Sequence, residues 1–490
     1  MRFLIFAITF GAILCEPLLA NESQKPNVLF IMADDLRTEL ASYGSAAKTP
    51  NLDRLAKRSM QFDRAYCQQA VCNPSRSSLL TGRRPDTLKI WNNGIHFREP
   101  NPNVMTIPLW FKQHGYETRC AGKIFHNWHT KVEGDPTSWS APEFLHFANH
   151  GDDVAKVTGD MPTNFAKTTS GFGYEAVGIC ECRDVPDEAY YDGRVAAEAV
   201  HVLNEVKDRP FFLAVGFWKP HAHFNAPKRY WDMYERDQLP KLDFRRPEGA
   251  PEVAFHQSTE VLGPVTRQKI PTAEQAAEMR HGYYANISYM DAQVGKVLEA
   301  LEKSGVADKT IVTFISDHGY HIGEHTLWGK TSNFELDAHV PMLVHAPGIT
   351  HEGERTSSLA ELVDLFPTLV ELCGLPTSVG LEGTSLVPIL RDPAISVKQA
   401  AFTQHPRPAY YDRTPTKQPE SMGVSVRTAK GRYTEWRDWK SGKTVARELY
   451  SEADEPAETR NLVNESSAAS ILHEAQEQLR KQFPNVVNPK

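Results

Sequence analysis

A cysteine and an arginine four positions apart form the segment of this chain best suited to chemistry on an anion. The segment begins Cys72-Asn73-Pro74-Ser75-Arg76 and runs to Gly82. Proline is favoured at a helix start and glycine just past a helix end, so the pattern predicts a helix with Cys72 near its N-terminus. That position stabilises negative charge, and Arg76 adds a cation about one turn away. The segment predicts an anion-handling cysteine, although a buried structural cysteine beside a capped helix fits the same pattern.

Acidic side chains follow two apolar runs at the points where the runs end. Asp34-Asp35 follows Val28–Met32, and Asp317-His318 follows Ile311–Ile315. Three carboxylates and one imidazole suit a hard divalent cation, calcium or magnesium, better than zinc. Each aspartate taken alone could instead cap the next turn. Taken together, the two pairs predict a metal site.

Basic residues occur in three further short motifs. These are Gly122-Lys123-Ile124-Phe125-His126, Lys219-Pro220-His221 and Trp328-Gly329-Lys330. Each lysine could lie on the surface, and each histidine could be satisfied in the core. The formal net charge of the chain is -7, so an anionic substrate would need a local basic pocket, which these residues could supply. The same charge argues against a general nucleic-acid binder.

The residues between these motifs indicate the scaffold that positions them. Val28–Met32, Phe211–Phe217 and Ile311–Ile315 are continuous rather than alternating apolar runs, which indicates strands covered on both faces. Helical patterns begin at Thr49-Pro50 and extend from Tyr283 to Leu301. Alternating strands and helices predict an α/β domain with a mostly parallel sheet between helices. In such sheets the ligand site lies beyond the carboxyl ends of the strands, where all three polar clusters stand.

The chain divides into a large catalytic domain at 21–395 and a smaller C-terminal subdomain at 396–490. Segments rich in proline and charge at about 131–190 and 235–275 are interpreted as surface insertions bordering the site. In the C-terminal part, short antiparallel strands are predicted at 425–428, 433–436 and 448–450, followed by a helix over about 466–482. This composition predicts an α+β subdomain built on an antiparallel sheet.

Residues 1–20 have the pattern of a secretion signal. Arg2 supplies the positive start, Phe3–Leu14 is almost wholly apolar, and Ala20 offers a cleavage point. The apolar run is short of the ~20 residues that a membrane span needs, so the mature protein is expected to be free of the membrane. The predicted location is secreted or periplasmic, and lysosomal if the source is an animal. The pairing of Cys180 and Cys182 is left open.

The segment Cys72–Arg83 resembles the signature of the type I sulfatases, Cys-x-Pro-x-Arg followed by Leu-x-Thr-Gly. In that family the cysteine is converted to formylglycine by a formylglycine-generating enzyme. The resemblance implies an alkaline-phosphatase-like fold. The family pattern has a lysine and a histidine after the helix of the cysteine, a histidine in the middle of the chain and a lysine after the metal-binding aspartate. In this chain these places are filled by Lys123, His126, His221 and Lys330. Many sulfatases carry Asn where His318 stands, and calcium remains the expected ion. The implied ligands of one calcium ion are Asp34, Asp35, Asp317, His318 and the side chain at 72.

The resemblance also implies a role for each polar residue. A hydrated formylglycine has one hydroxyl to attack sulfur and a second through which sulfate is expelled. Asp317 is expected to accept the proton of the attacking hydroxyl, and His126 the proton of the second. His221, with Lys330, would protonate the departing sugar oxygen. Calcium, Lys123, Arg76 and Lys330 would neutralise charge on the sulfate oxygens.

Two other functions fit parts of the pattern. A phosphomonoester or phosphonate hydrolase of the same fold would share the metal and the oxyanion-binding groups. A secreted protein that binds sulfated glycans through a decayed site is the non-enzymatic alternative. The intact Cys72, Arg76 and ligand set argue against decay.

The resemblance narrows to the branch of the family that removes 2-O-sulfate from uronic acids in glycosaminoglycan degradation. It implies an O-sulfated sugar as substrate, with a 2-sulfated uronic acid at a non-reducing end as the first choice. Lys219 and His223, which flank His221, are candidates to bind the uronate carboxylate, and a structural role for both is the alternative. The insertions match least, so algal or other sulfated polysaccharides remain alternatives. The segments that carry this resemblance are 68–71, 83–87, 211–221, 317–319 and 330–334, with weaker likeness at 362–368, 404–408 and 448–450.

Overall fold

The protein is described by a computed structural model that covers residues 25–126, 132–144, 180–241, 243–256, 271–453 and 458–484. The predicted signal peptide and most of the predicted insertion at 131–190 lie outside these residues. The strands are β1 (Asn27–Asp34), β2 (Met60–Tyr66), β3 (Glu117–Gly122), β4 (Cys180–Arg183), β5 (Phe211–Pro220), β6 (Phe224–Pro227), β7 (Thr310–Ser316), β8 (His321–Ile322), β9 (Trp328–Gly329), β10 (His339–His345), β11 (Arg355–Thr356), β12 (Ala360–Glu361), β13 (Ala401–Arg407), β14 (Ser421–Arg427), β15 (Gly431–Asp438) and β16 (Thr444–Ser451). The helices are α1 (Pro50–Ala56), α2 (Cys72–Thr81), α3 (Pro85–Leu88), α4 (Ile107–Gln113), α5 (Tyr191–Val206), α6 (Lys228–Trp231), α7 (Ala273–Lys303), α8 (Glu335–Ala338), α9 (Leu365–Leu372), α10 (Val387–Arg391) and α11 (Ala469–Gln482).

A large mixed sheet forms the centre of the molecule, with the strand order β11-β2-β10-β7-β1-β5-β3 and β12 beside β2. β1 is parallel to both β5 and β7, and β3 is parallel to β5. β10 is antiparallel to β2 and to β7. The carboxyl ends of β1, β3, β5 and β7 therefore meet at one edge of the sheet, as the sequence predicts.

Both faces of this sheet are covered, which explains the continuous apolar runs. Leu29, Ile31 and Ala33 of β1 pack with residues of α1, α5 and α7 on one face. The alternate residues of the same strand pack on the other face with residues of α2, α4 and α9. Successive strand side chains point to opposite faces, so a strand buried on both must be apolar throughout. The predicted α/β architecture between helix layers is confirmed.

The C-terminal part forms a separate four-stranded antiparallel sheet in the order β13-β14-β15-β16. Helix α11 packs on this sheet and contributes Ala475 and Leu479 to its core. The sheet begins at Ala401, close to the predicted boundary at 395, and its antiparallel form is the predicted one. The three predicted strands are longer in the structure, and β13 precedes them.

Two predicted helix boundaries are wrong in detail. The predicted helix at 283–301 is the C-terminal part of α7, which starts ten residues earlier at a capping box between Thr272 and Gln275. The first turn of the predicted C-terminal helix is a 3-10 turn over Ser466–Ala468. The predicted helix with Cys72 near its N-terminus is confirmed, because α2 begins at Cys72 itself. No helix within the described ranges is long and apolar enough to span a membrane.

Candidate active site

Strand β1 ends in the two acidic residues of the site. Asp34 is its last residue, and Asp35 turns the chain sharply with a left-handed φ of 62°. The Tyr283 hydroxyl of α7 donates to the Asp35 carbonyl at 2.7 Å, and the Asp35 N–H donates to Asp317 Oδ1 at 3.3 Å. Both aspartates are fully buried. The unusual turn is thus held from α7 and β7, and it directs two adjacent carboxylates into the same space.

Cys72 is the first residue of α2 and lies against these carboxylates. Its Sγ is 3.7 Å from Asp34 Oδ1 and 3.7 Å from Lys123 Nζ. Burial raises the pKa of the Cys72 thiol, and the Asp34 carboxylate raises it further, whereas Lys123 opposes them. Because thiolates rather than thiols are the reactive species, an unmodified Cys72 is poorly suited to act as a nucleophile here.

Arg76 lies one turn further along α2 and joins three parts of the site. Its Nε donates to Asp317 Oδ2 at 2.8 Å, and Nη2 is 3.7 Å from Asp34 Oδ2. Nη1 donates to the carbonyl oxygens of Lys123 and Ile124, the latter at 3.0 Å. Arg76 is fully buried, and within the described part of the chain its ion pairs are with Asp34 and Asp317. The spacing Cys-x-x-x-Arg therefore fixes α2 to the ends of β1, β3 and β7.

Lys123 follows β3 and reaches the site because two strands approach closely. Its N–H donates to the Gly216 carbonyl of β5 at 2.8 Å. A Cβ on Gly216 would lie 1.9 Å from the Lys123 carbonyl oxygen, so only glycine permits this approach. The Lys123 ammonium pairs with Asp34 Oδ2 and lies 4.4 Å from the centre of the Trp218 ring. The sequence motif Gly122-Lys123 thus places a cation beside Cys72 and Asp34.

Lys330 and His221 approach Asp35 from two other directions. Lys330 Nζ donates to both Asp35 oxygens, at 2.9 and 3.1 Å. His221 Nε2 is 3.8 Å from Asp35 Oδ2, while its Nδ1 contacts the Ala222 carbonyl at 2.6 Å. The Nδ1 contact orients the ring so that Nε2 faces the centre of the site. His126 is also buried, three residues beyond Lys123.

Four potential metal ligands converge in this space. One donor atom each from Asp34, Asp35, Cys72 and His318 lie within 4.8 Å of one another. His318 Nδ1 contacts the Gly319 carbonyl at 3.0 Å, whereas its buried Nε2 has no hydrogen-bond partner among the described residues. This nitrogen lies 3.6 Å from Asp317 Oδ2, and a buried imidazole nitrogen without a hydrogen bond is costly unless it binds something. The donor set therefore fits a divalent cation.

The charges of the site are balanced before any ion binds. Three carboxylates, Asp34, Asp35 and Asp317, face the three cations Arg76, Lys123 and Lys330. Burial raises the pKa of the Asp34 carboxyl. The nearby cationic groups of Lys123, His221 and Arg76 outweigh burial and hold this pKa well below its ordinary value, so Asp34 is ionised. A bound divalent cation would leave the site with net positive charge. Such a site favours an anionic substrate and any charge that develops on it.

Two predicted site residues have contacts that bear on their roles. Asp317 adjoins the four converging donors, since its Oδ2 lies 3.6 Å from His318 Nε2, while Arg76 and the N–H groups of Asp35 and His318 engage its oxygens. Lys219 is buried, and protein acceptors surround its ammonium. Its ammonium donates to the carbonyls of His221 and His223 and to Asn225 Oδ1. These contacts favour a structural role for Lys219, in holding the loop that carries His221, over binding of a uronate carboxylate.

Several residues that support the site were missed in the sequence. Asp192 of α5 accepts the N–H groups of Trp218 and Lys219, at 2.7 and 2.9 Å, and so holds the end of β5. Tyr283 holds the Asp35 turn, as described above. Both residues lie on distant helices that face the sheet edge, and no local motif marks them. Only their polarity at otherwise apolar helix positions could have indicated a role.

Comparisons with known proteins agree with this geometry. The family model described as Sulfatase matches residues 26–375, and the model of the N-sulphoglucosamine sulphohydrolase C-terminal region matches residues 323–484. The chain is 33% identical to the iduronate 2-sulfatase of Homo sapiens, with 91% of this chain and 92% of that protein covered.

Solved structures share the fold at lower identity. A structure solved in complex with its substrate D-glucosamine-2-N,6-O-disulfate superposes with a TM-score of 0.72 at 20% identity, covering 94% of this chain and 98% of the other. The phosphonate monoester hydrolase of Agrobacterium radiobacter superposes with a TM-score of 0.75 at 23% identity, covering 93% and 96%. The predicted likeness to iduronate 2-sulfatase is confirmed, and the chain belongs to the sulfatase family of sulfuric ester hydrolases.

Proposed function

We propose that Cys72 is converted to formylglycine by a formylglycine-generating enzyme and that the hydrated aldehyde is the nucleophile of this sulfatase. The observation that carries the proposal is the contact of Cys72 Sγ with both Asp34 and Lys123 at the start of α2. An aldehyde hydrate there supplies a hydroxyl for attack on sulfur and a second hydroxyl for release of sulfate. Because burial raises the pKa of the Cys72 thiol, an unmodified thiol would be a poor nucleophile at this position.

We propose calcium as the bound ion, held by Asp34, Asp35, Asp317, His318 and the modified side chain at 72. Bound there, calcium would supply positive charge toward the sulfate oxygens. The oxygen-rich donor set supports a hard cation rather than zinc. Asp317 fits this set less directly than the other ligands, since Arg76 engages one of its oxygens.

The remaining polar residues divide between binding charge and moving protons. Arg76, Lys123 and Lys330 are proposed to bind the sulfate oxygens, since all three ammonium or guanidinium groups already face the carboxylates of the site. His221 Nε2 faces Asp35 and is proposed to protonate the departing sugar oxygen, with Lys330 beside it. Asp317 is proposed to accept the proton of the attacking hydroxyl and His126 that of the second.

The mass of the peptide that contains residue 72 tests this proposal directly. Conversion removes one sulfur and two hydrogens from the cysteine and adds one oxygen. Protein made with a formylglycine-generating enzyme should carry this change and hydrolyse sulfate esters. Active protein whose residue 72 is an unmodified cysteine would refute the proposal.

No observation favours the phosphonate hydrolase alternative, because structural likeness at 23% identity reflects the fold alone. An aryl sulfate and the matching aryl phosphate should be compared at the same pH. We expect the sulfate ester to have the higher kcat/KM. The glycan-binding alternative predicts tight binding of a sulfated glycan without turnover.

The proposed substrate is an O-sulfated carbohydrate, with a 2-sulfated uronic acid at a non-reducing end as first choice. The support is the identity of 33% to human iduronate 2-sulfatase, which extends over 91% of this chain. His223 remains the candidate to bind the uronate carboxylate. A panel of defined sulfated mono- and disaccharides decides the question. Desulfation of 6-O-sulfated hexosamines or fucose sulfates, with 2-sulfated uronates untouched, would remove this substrate and keep the sulfatase activity.

We propose that the protein is exported through a signal peptide over residues 1–20. The support is the sequence pattern of Arg2, the apolar run Phe3–Leu14 and Ala20. N-terminal sequencing of protein recovered from its native host tests the proposal. We expect the mature chain to begin at Asn21.

A further inference from the structure

The turn that carries Lys330 has a backbone conformation that its own sequence disfavours. Thr331 has a left-handed φ of 82°, which is a rare conformation for a β-branched residue. The Thr331 N–H donates to the Ala70 carbonyl at 3.0 Å, and Arg407 Nη1 donates to the Thr331 carbonyl at 2.9 Å. A strained turn persists only where its surroundings hold it. The contacts of the following residue, Ser332, therefore help to determine the position of Lys330.

Asp337 of α8 contacts Ser332 through its side chain. Its Oδ2 accepts the Ser332 N–H at 2.9 Å and the Ser332 hydroxyl at 2.6 Å. Its Oδ1 contacts His321 Nδ1 at 2.6 Å. Asp337 and His321 are both fully buried. Both oxygens of this carboxylate are therefore committed, one to the Lys330 turn and one to His321.

His321 belongs to the segment that begins with the proposed metal ligands. It lies three residues after His318, and its Nε2 is 3.3 Å from His325 Nδ1. The Asp337 main-chain carbonyl independently accepts the Gly319 N–H at 2.8 Å. The Asp337 side chain thus couples the Lys330 turn to the metal-binding segment, while its main chain holds that segment without using the side chain.

We propose that Asp337, oriented by His321, is a positioning residue that holds Lys330 at the reaction centre, by which we mean the space between Asp34, Asp35, Cys72 and His318. The proposal rests on the role assigned to Lys330 under the proposed function. Among the described residues, no hydrogen bond or ion pair joins the Asp337 side chain to Cys72 or to the converging donors, so we expect it to act on the reaction through the turn. A misplacement of about 1 Å at a reacting group can reduce a rate about 100-fold.

Kinetics of single and double variants test this coupling. Asp337→Ala should lower kcat/KM for a sulfate ester about 100-fold while calcium content is retained, because the main-chain bond to Gly319 survives. In a protein that already carries Lys330→Ala, adding Asp337→Ala should change kcat/KM by less than about twofold, because the lysine that Asp337 positions is already absent. His321→Ala should lower activity, and His321→Asn, whose amide can replace Nδ1 as the donor, should restore most of it.

The matched control is Asp291, a buried aspartate that performs a purely structural task. It accepts the N–H groups of Asn51 and Leu52 at the start of α1. Asp291 lies eight residues, about 12 Å, along α7 from Tyr283. Asp291→Ala should lower the unfolding midpoint with kcat/KM within about threefold of the wild type.

A crystal structure of Asp337→Ala separates failure of this inference from failure of the proposed function. We expect the Lys330 ammonium to have left Asp35. An unchanged Lys330 position, or an additive loss in the double variant, would refute the positioning role. If Lys330→Ala alone retained full activity, the assigned role of Lys330 would be wrong, and the crystal structure would still decide whether Asp337 holds the turn.

Discussion

Two clusters of buried charge in this protein differ in how their charges are compensated. In the reaction centre, four donor atoms from Asp34, Asp35, Cys72 and His318 converge on one space, and His318 Nε2 has no hydrogen-bond partner within the described part of the chain. In the second, the interface cluster, carboxylates and guanidinium groups pair directly with one another. Converging, incompletely paired donors favour a ligand, whereas closed pairs favour a structural role.

The interface cluster consists of Tyr66, Glu335, Arg427, Arg432 and Glu458, and it joins the large sheet to the C-terminal sheet. Glu335 accepts hydrogen bonds from Tyr66 at 2.8 Å, from Arg427 at 3.2 Å and from Arg432. Glu458 accepts the Glu335 N–H at 2.6 Å and lies 3.1 Å from Arg432 Nε. The comparison predicts that substitutions in the reaction centre abolish activity, and that substitutions in the interface cluster change stability.

The largest expected effect is that of Cys72→Ala. The variant should fold and bind calcium, because three carboxylates and His318 remain, but kcat should fall by about 10⁴-fold or more with the nucleophile gone. Turnover of an aryl sulfate and elemental analysis measure the two properties. Cys373→Ala, which alters another buried cysteine, should keep its activity. Sulfatase activity retained in Cys72→Ala would refute the assigned nucleophile.

Asp34→Ala should lose both metal and activity. Asp34 is a converging donor and also pairs with Lys123, so its removal takes a ligand from the metal site and a carboxylate from beside a buried ammonium. Elemental analysis of purified protein, with turnover measured on the same sample, tests the expectation. One equivalent of zinc in the native protein that survives this substitution would contradict the calcium assignment.

Short motifs at strand ends allowed much of the reaction centre to be predicted from sequence. Asp34-Asp35, Lys123, His221 and Asp317-His318 each lie within two residues of the end of a strand, and parallel strands bring such positions to one edge. The continuous apolar runs likewise predicted the buried strands of the sheet. Local sequence is sufficient to predict where a side chain lies when that residue directly follows the end of a strand.

Other features depend on contacts that local sequence does not encode. Lys219 flanks His221 and was expected to meet substrate, but its direction is determined by Asn225 and two carbonyls of a loop whose path the sequence does not reveal. Asp192, Asp337 and the interface cluster act across long sequence separations. The full length of α7 was underestimated because its first turns carry few apolar residues, although the capping box at Thr272 and Gln275 was available as a signal.

Glu335→Ala should destabilise the protein without removing the metal site. The substitution leaves Arg427 and Arg432 buried with part of their compensation lost, which costs about 3–5 kcal/mol of unfolding free energy. Urea denaturation measures the change. The control is Glu302→Ala, because that carboxylate pairs with Arg58 at the surface and its loss should matter far less. Equal midpoints for the two variants would contradict a structural role for the interface cluster.

The smallest predicted effect concerns pH and Glu458. Burial raises the pKa of Glu458 to about 7, because Arg432 offsets the burial only in part and Glu335 adds to it. An unfolded glutamate titrates near 4.3, so between roughly pH 4.3 and 7 the folded state keeps a proton that the unfolded state has lost. Stability should therefore fall by about 1–3 kcal/mol as pH rises through this window.

Glu458→Gln removes this titration while it preserves the size of the side chain and the acceptor for the Glu335 N–H. Urea denaturation of the wild type and the variant at pH 5 and pH 8 isolates the effect, since every other titrating group is shared and cancels in the difference. The variant should lose less stability than the wild type between the two values, and its advantage should be greatest at pH 8. Equal losses of stability in the two proteins between pH 5 and pH 8 would show that Glu458 is already ionised at pH 5. The guanidinium groups of the interface cluster would then compensate its carboxylates completely.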